Sequence, residues 1–376
     1  MLIYQALLYI TSLVFGSLTG VLVKRIPEGK DFTFSRSECP HCGYQLKWYE
    51  NIPVISYVML LAKCSNCKGK ISSFYPLVEI GFLLCSLPFI NIAVKRFIVL
   101  NSFFDQFLIL LDFLFYMAFI ALALALGLID QKQKQLPHML TYAGVIMGVI
   151  YVSLFASPYY SASESLSFLP GFLVSSFSAI KQFAIVVFSL DIFVFFANMI
   201  FFRENALLDA SNALTFGQKK LQENMKLIYL IYLVLALSLV YFGKSFLLEI
   251  FFILLGLLYM IFEIVPFFFT KEENENSAAE DAKKTILGGG DIMMLGFFAT
   301  ILGFQKASLV FLTSFYFAFI FLLLKIIKEY FAFQIRLQKT GGQDNSFDIL
   351  AILRGTIPLG LALALSFIAV MMMLAK

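Results

Sequence analysis

The run Leu124-Ala125-Leu126-Gly127-Leu128-Ile129 ends in Asp130, and the polar residues Gln131 to Gln135 follow before Leu136-Pro137. That run completes a predominantly apolar segment over 104–129, and a transmembrane helix needs about 20 such residues. Segments of the same kind centre on 2–23, 76–94, 139–157, 172–202, 227–243, 246–269, 291–304, 307–327 and 357–374. Composition points the same way: the 376 residues are 60% hydrophobic, 17% aromatic and 14% charged, against about 25% charged in a soluble globular protein. Forty-five Phe against one Trp, with a mean hydropathy of +0.87, describe a chain solvated mainly by lipid. The net charge of +4 is too small to suggest nucleic acid as a partner. Backbone groups cannot be left unpaired in hydrocarbon, and the segments lack the alternation of barrel strands. The expected fold is an all-α polytopic membrane protein with roughly 8–10 transmembrane helices.

The first segment is too uniform for a cleaved signal peptide and has Lys24-Arg25 behind it, so it reads as a retained span with its amino end outside. Alternating from there, the interior loops are 24–75, 129–138, 203–226, 270–290 and 328–356. Lys24, Arg25, Lys30, Arg36, Lys47, Lys63, Lys68 and Lys70 fall in the first of them, whereas the exterior loop 158–170 has no Lys or Arg. This is the positive-inside bias, with Lys95-Arg96 as the pair on the wrong side. The linker from Lys271 to Lys284 is charged and poor in apolar residues.

Loop 24–75 carries Cys39-Pro40-His41-Cys42-Gly43 and Cys64-Ser65-Asn66-Cys67-Lys68-Gly69, with 21 residues between Cys42 and Cys64. Two residues between thiolates let one tight turn present both sulfurs to an ion, and a following Gly lets the backbone curl around them. Two such turns make a tetrahedral four-sulfur site, so Cys39, Cys42, Cys64 and Cys67 are the expected ligands of a structural zinc. The alternative is a disulfide pair or unlinked thiols, and a reducing cytosolic side argues against the disulfides. Cys85 falls inside a span and reads as an ordinary buried residue.

Carboxylates in or near a span are functional candidates because they are costly there. Asp105, Asp112, Asp191, Glu249 and Glu263 fall within or near spans, while Asp130 and Asp291 fall at cytoplasmic ends. Asp291 follows Gly288-Gly289-Gly290 and precedes Ile292-Met293-Met294. Asp130 and Asp291 share a predicted depth and side, so they can meet. Two close carboxylates share a proton, one acting as base and the other as acid, which suffices to activate water against an amide. The plain alternative is that both are interface acids pairing with Lys132, Lys134, Lys283 or Lys284. Other hydrolytic schemes fare worse, since His41 and His138 are the chain's two histidines and neither HExxH nor a nucleophile elbow is present.

Several further stretches carry a resemblance. They are Gly16-Ser17-Leu18, Arg25-Ile26-Pro27-Glu28-Gly29, the two cysteine pairs, Trp48-Tyr49-Glu50-Asn51-Ile52-Pro53 and Tyr75-Pro76-Leu77-Val78-Glu79. Ile129-Asp130 with Leu136-Pro137-His138, Gly288-Gly289-Gly290-Asp291 and Ile357-Pro358-Leu359-Gly360 follow in order. In these the chain resembles the bacterial type IV prepilin leader peptidases, GxGD-type intramembrane aspartyl proteases that are also N-methyltransferases. The resemblance implies that Asp130 and Asp291 are the catalytic dyad and that the cysteines form a cytoplasmic zinc module associated with methylation. The implied substrate is a prepilin or pseudopilin, cut after the Gly that ends its basic leader, then methylated on its new amino terminus from S-adenosylmethionine. It also implies a multi-pass protein of the bacterial inner membrane with its active site facing the cytoplasm.

On that resemblance the chain divides into a first span (1–23), a zinc-binding module (24–75) and a peptidase bundle (76–376). The bundle carries an insertion at about 185–275, either a lipid-facing elaboration or a docking surface for pilus or type II secretion components. Glu50 and Glu79 are candidates to contact the methyl donor or the substrate amine; the alternative is pairing with Lys47 or Lys70. The chain departs from the family pattern at Met293, where a Lys is usual, and at His138, where an Asp is usual. A proton-coupled transporter with a relay of Asp112, Asp191 and Glu263 is the second reading, although no matching half-repeats accompany it. A peptidase-like scaffold with altered catalysis, prompted by Met293, is the third.

Overall fold

The computed structural model describes residues 1–30, 36–100, 102–133, 136–155, 171–201, 250–254, 289–340 and 359–374. Among these the regular structure is helical, with only two isolated β-bridges, Glu38 to Gln45 and Lys63 to Lys70. Among the described residues four helices are long and apolar enough to cross a membrane: Leu2–Arg25, Phe74–Val99, Phe103–Gln133 and Phe304–Gln334. Shorter apolar helices cover Met139–Phe155, Leu173–Val187, Gly290–Leu302 and Leu359–Leu374. The expected segment at 227–243 and most of that at 246–269 lie outside the described residues, as do Glu249, Glu263 and most of the insertion.

The chain forms two compact units. The first comprises Met1–Leu140 and Ser308–Lys376. In it α1 (Leu2–Arg25) packs against α3 (Phe74–Val99) and α4 (Phe103–Gln133), with the short α2 (Ile55–Met59) between α1 and α3 in sequence. Leu8, Ser12, Gly16, Thr19 and Val23 of α1 recur at helical spacing and are buried, whereas Ile3, Leu7, Ile10, Val14 and Leu18 form an exposed stripe. In a bilayer that stripe faces lipid, and small residues on the other face let helices approach. A Cβ on Gly16 would stand 3.0 Å from the Cα of Glu79, so any larger residue would have to ease α1 and α3 apart at this crossing.

Helix α4 is buried on every side from Phe119 to Gly127, the signature of a helix at the centre of a bundle. It does not stop at Ile129. Good helix formers continue it to Gln133, so Asp130 lies inside its last turn rather than opening a loop. In the first half of the same helix, Asp112 pairs with Arg96 of α3 at 3.0 Å. That ion pair gives both the Arg96 and the Asp112 charge a partner in the fold.

The second unit, Thr141–Ala307, contains most of α5 (His138–Phe155), α6 (Gly171–Phe201) and α7 (Gly289–Leu302). A Cβ on Gly296 of α7 would lie 2.7 Å from the Phe183 ring and from Val187 of α6, which is how closely the two helices approach. Ser153 and Ser176 join α5 to α6 through hydroxyls 2.6 Å apart. Gly303, at φ 78°, ends α7, and Gln182 accepts the next free amide, that of Phe304, at 2.9 Å. The chain then continues as α8 (Phe304–Thr340), longer than hydropathy alone predicts because its polar end remains helical. Helix α9 (Leu359–Leu374) belongs to the first unit and packs on α4.

Candidate functional site

The two cysteine turns are built alike. Cys39 N–H donates to Tyr44 O and Gly43 N–H to Cys39 O, both at 2.9 Å; Cys64 N–H donates to Gly69 O at 2.9 Å and Lys68 N–H to Cys64 O at 3.1 Å. One β-bridge closes each turn, Glu38 to Gln45 and Lys63 to Lys70. The residue after the second cysteine is left-handed in both, Gly43 at φ 68° and Lys68 at φ 57°. In the second turn, therefore, Lys68 takes the conformation that glycine was expected to supply. Gly69 serves close approach instead: its N–H reaches Cys67 Sγ at 3.4 Å, and a Cβ there would meet the His41 ring at 3.1 Å.

All four sulfurs lie within 4.8 Å of one another, with Cys39 and Cys67 Sγ 3.9 Å apart. Zinc–sulfur bonds of about 2.3 Å in a tetrahedron put sulfurs about 3.8 Å apart, so the cluster could hold such an ion. None of the four is in a disulfide. The Tyr44 amide draws the Cys42 thiol down to about 7. The amides of Cys67 and Asn66 lower that of Cys64. The Gly69 amide favours the Cys67 thiolate too, but the neighbouring Cys42, Cys64 and Cys39 push its thiol up to about 11. Crowded thiols that resist further ionisation are what a divalent cation relieves.

Beside the cluster lies a cavity of about 640 Å³, lined by the C-terminal end of α1, the start of α3, both cysteine turns, α2 and Lys132 of α4. It is of small-molecule size. Glu50 and Glu79 are both buried and both line it. Among the described residues neither forms an ion pair with a lysine ammonium, although the Lys47 charge contributes to holding Glu50. The Ser65 hydroxyl, the Lys47 backbone N–H and the Tyr44 hydroxyl hold the Glu50 carboxyl below the usual range; the Lys47 N–H bond is 2.8 Å and the Tyr44 bond 3.2 Å. Glu79 accepts the Val54 N–H at 2.7 Å. Tyr44 and Tyr57 add aromatic walls, and Lys24 and Lys132 lie on the lining, over the rings of Tyr75 and Phe74 respectively.

Asp130 is buried, and its Oδ2 accepts the Gly360 N–H at 2.9 Å. An acid in the last turn of α4 sits at the unfavourable, negative end of that helix; the first turn of α9 supplies the positive end that offsets it. Glycines make the approach possible. A Cβ on Gly360 would lie 2.8 Å from Asp130 Oδ2, and one on Gly127 would lie 2.7 Å from Leu361 Cα. Sequence reading singled out Gly360 within its motif but not its bond to Asp130, and the only hint was the pairing of glycines in two distant motifs. Asp291 occupies the first turn of α7, the favourable end for an acid. Met293 is buried in the packed face of that helix, where it fills space that a Lys would have to charge. His138 begins α5, and its side chain and that of Asp191 lie outside the described residues.

Residues 10–94 match the family model of the bacterial peptidase A24 N-terminal domain. A prepilin leader peptidase/N-methyltransferase of Vibrio cholerae is 30% identical over 195 residues, covering 50% of this chain and 70% of that protein. The like-named protein of Myxococcus xanthus is 33% identical over 147 residues, covering 39% and 40%. That of Pseudomonas putida is 31% identical over 163 residues, covering 38% and 52%. No solved structure matches the chain.

Proposed function

This chain belongs to the prepilin leader peptidase/N-methyltransferase family, and from that premise we propose that it is an inner-membrane aspartyl endopeptidase that also methylates its product. Its substrates are prepilins or pseudopilins, cut after the Gly that separates a basic leader from an apolar helix. The observation that carries the reading is the buried Asp130 carboxylate, held by the Gly360 amide at the start of α9. Asp130 takes a proton from water and Asp291 delivers one to the departing amine, the two acting as a proton-sharing pair. The site faces the cytoplasm, where the basic leader remains.

Methylation is assigned to the cavity. Lys132, two residues beyond Asp130, is part of its lining, so the new amino terminus has little distance to travel within the first unit. S-adenosylmethionine supplies an electrophilic methyl group there. Glu50 and Glu79 are suited to hold cationic groups, the donor's ammonium or sulfonium and the acceptor amine, in a site whose burial strengthens such contacts. Zinc at Cys39, Cys42, Cys64 and Cys67 supplies folding free energy to a module with little apolar core.

Purified protein incubated with a prepilin and labelled methyl donor tests both halves. Asp130→Asn and Asp291→Asn should each abolish leader release while the protein still inserts. Glu79→Gln should spare leader release and lower methyl incorporation at least tenfold. Normal cleavage by either aspartate variant ends the peptidase proposal, and normal methylation by Glu79→Gln ends the assignment of the cavity.

A further inference from the structure

Between the cysteine turns, residues 48–61 form a two-faced strip. Ser56, Tyr57 and Leu60 line the cavity. On the other side Ile55, Val58 and Met59, at helical spacing i, i+3 and i+4, are exposed, and so are Trp48 and Leu61. Trp48 is 81% exposed, Met59 77% and Leu61 80%, values unsuited to water for five large apolar side chains within fourteen residues. Two observations decide what covers them.

The first is depth. Val54, which immediately precedes α2, donates its N–H to Glu79 at 2.7 Å. Glu79 lies roughly 8 Å along α3 from its first residue at about 1.5 Å per residue. It falls between Leu77 and Ile80, which with Leu84 make an exposed apolar stripe on that membrane-spanning helix. The strip is thereby pinned level with side chains of α3 that face lipid. Unusual backbone holds it so: Val54, Leu61 and Ala62 have φ of 60°, 50° and 58°, conformations that persist only where the surroundings enforce them.

The second is charge. Lys47 precedes Trp48, Lys63 follows Ala62, and both are exposed, with Lys68 and Lys70 beyond. Basic residues flanking an apolar face suit the anionic inner leaflet, and tryptophan favours the headgroup boundary. We propose that residues 48–61 are a bilayer-docking surface that lays the cysteine module flat on the inner leaflet, with α2 as the wall between the cavity and lipid. A product whose first residues sit in the membrane then meets the cavity sideways, without leaving the bilayer.

Trp48 is the chain's single tryptophan, so its emission reports on this surface alone. The full-length chain is reconstituted in vesicles of phosphatidylethanolamine and phosphatidylglycerol. Lipids brominated high on the acyl chains should quench Trp48 strongly, with aqueous iodide quenching it severalfold less than free tryptophan. Replacing Met59 and Leu61 together by Glu, with helicity checked by circular dichroism, should raise iodide quenching at least twofold. Full quenching by iodide in the native chain would place the strip in water, and protection from both quenchers would place it against protein. Either result, or an unchanged response in the double variant, overturns the proposal. All three readouts are independent of leader cleavage and methylation.

Discussion

Lys68 sits at φ 57°, where the matching position of the first cysteine turn has Gly43. A Cβ in that conformation costs roughly 1–2 kcal/mol, so Lys68→Gly should stabilise the module by about 1 kcal/mol. The gain should appear as slower metal loss to a chelator, and faster loss would mean that the lysine side chain has a role of its own. Glu50 makes a complementary case. Its carboxyl is held below the usual range first by Ser65, between the cysteines of the second turn, and then by the Lys47 amide. A depressed carboxyl stabilises the fold above its unfolded value of about 4.3, and that stabilisation is lost as the pH falls through the lower folded value. Wild type should therefore outlast Glu50→Gln in thermal unfolding at pH 6, with the gap closing as the pH falls below 4. A gap that stays constant with pH would remove the carboxylate from the account.

At the scale of elements, the contact between α4 and α9 in the first unit is tightly constrained. Gly127 and Gly360 face it from opposite sides, and each lacks room for a methyl group. Gly360→Ala would push against Asp130 itself and lengthen the amide bond to its Oδ2. Hydrogen bonds to charged groups contribute about 1.5–3 kcal/mol, so leader cleavage should fall about tenfold to a hundredfold. Methylation of a substrate supplied already cut should persist, because apart from Lys132 the cavity is built from α1, α2, α3 and the cysteine module. Loss of both activities together would show that the variant had merely misfolded.

For the whole molecule, the peptidase proposal requires one acid from each unit, since Asp130 belongs to the first and Asp291 to the second. A shared proton makes cleavage depend on one group being ionised and the other not. The pH dependence of kcat/KM should then be bell-shaped, with two apparent values belonging to the pair. A profile with a single limb would separate the acids. Of the transporter's relay, Asp112 is tied to Arg96 in an ion pair at 3.0 Å, and the family to which the chain belongs is one of enzymes.

Membrane residence, the helical class and the convergence of four thiols were all legible in the linear sequence. The hydropathy of a span and the geometry of a Cys-x-x-Cys turn are set by neighbours a few residues apart. The positions of Asp130 and Asp291 near helix ends were legible for the same reason, although α4 runs one turn further than its polarity suggests. Tertiary structure alone decided that Gly360 reaches Asp130 across 230 residues, that Val54 reaches Glu79, and that the cysteine turns enclose a cavity with the ends of α1 and α3. These helices are apolar around most of their circumference, so hydropathy alone names no inward side. Which faces meet is settled by where small residues allow backbones to close and buried carboxylates find amides, and both depend on segments far apart in the chain.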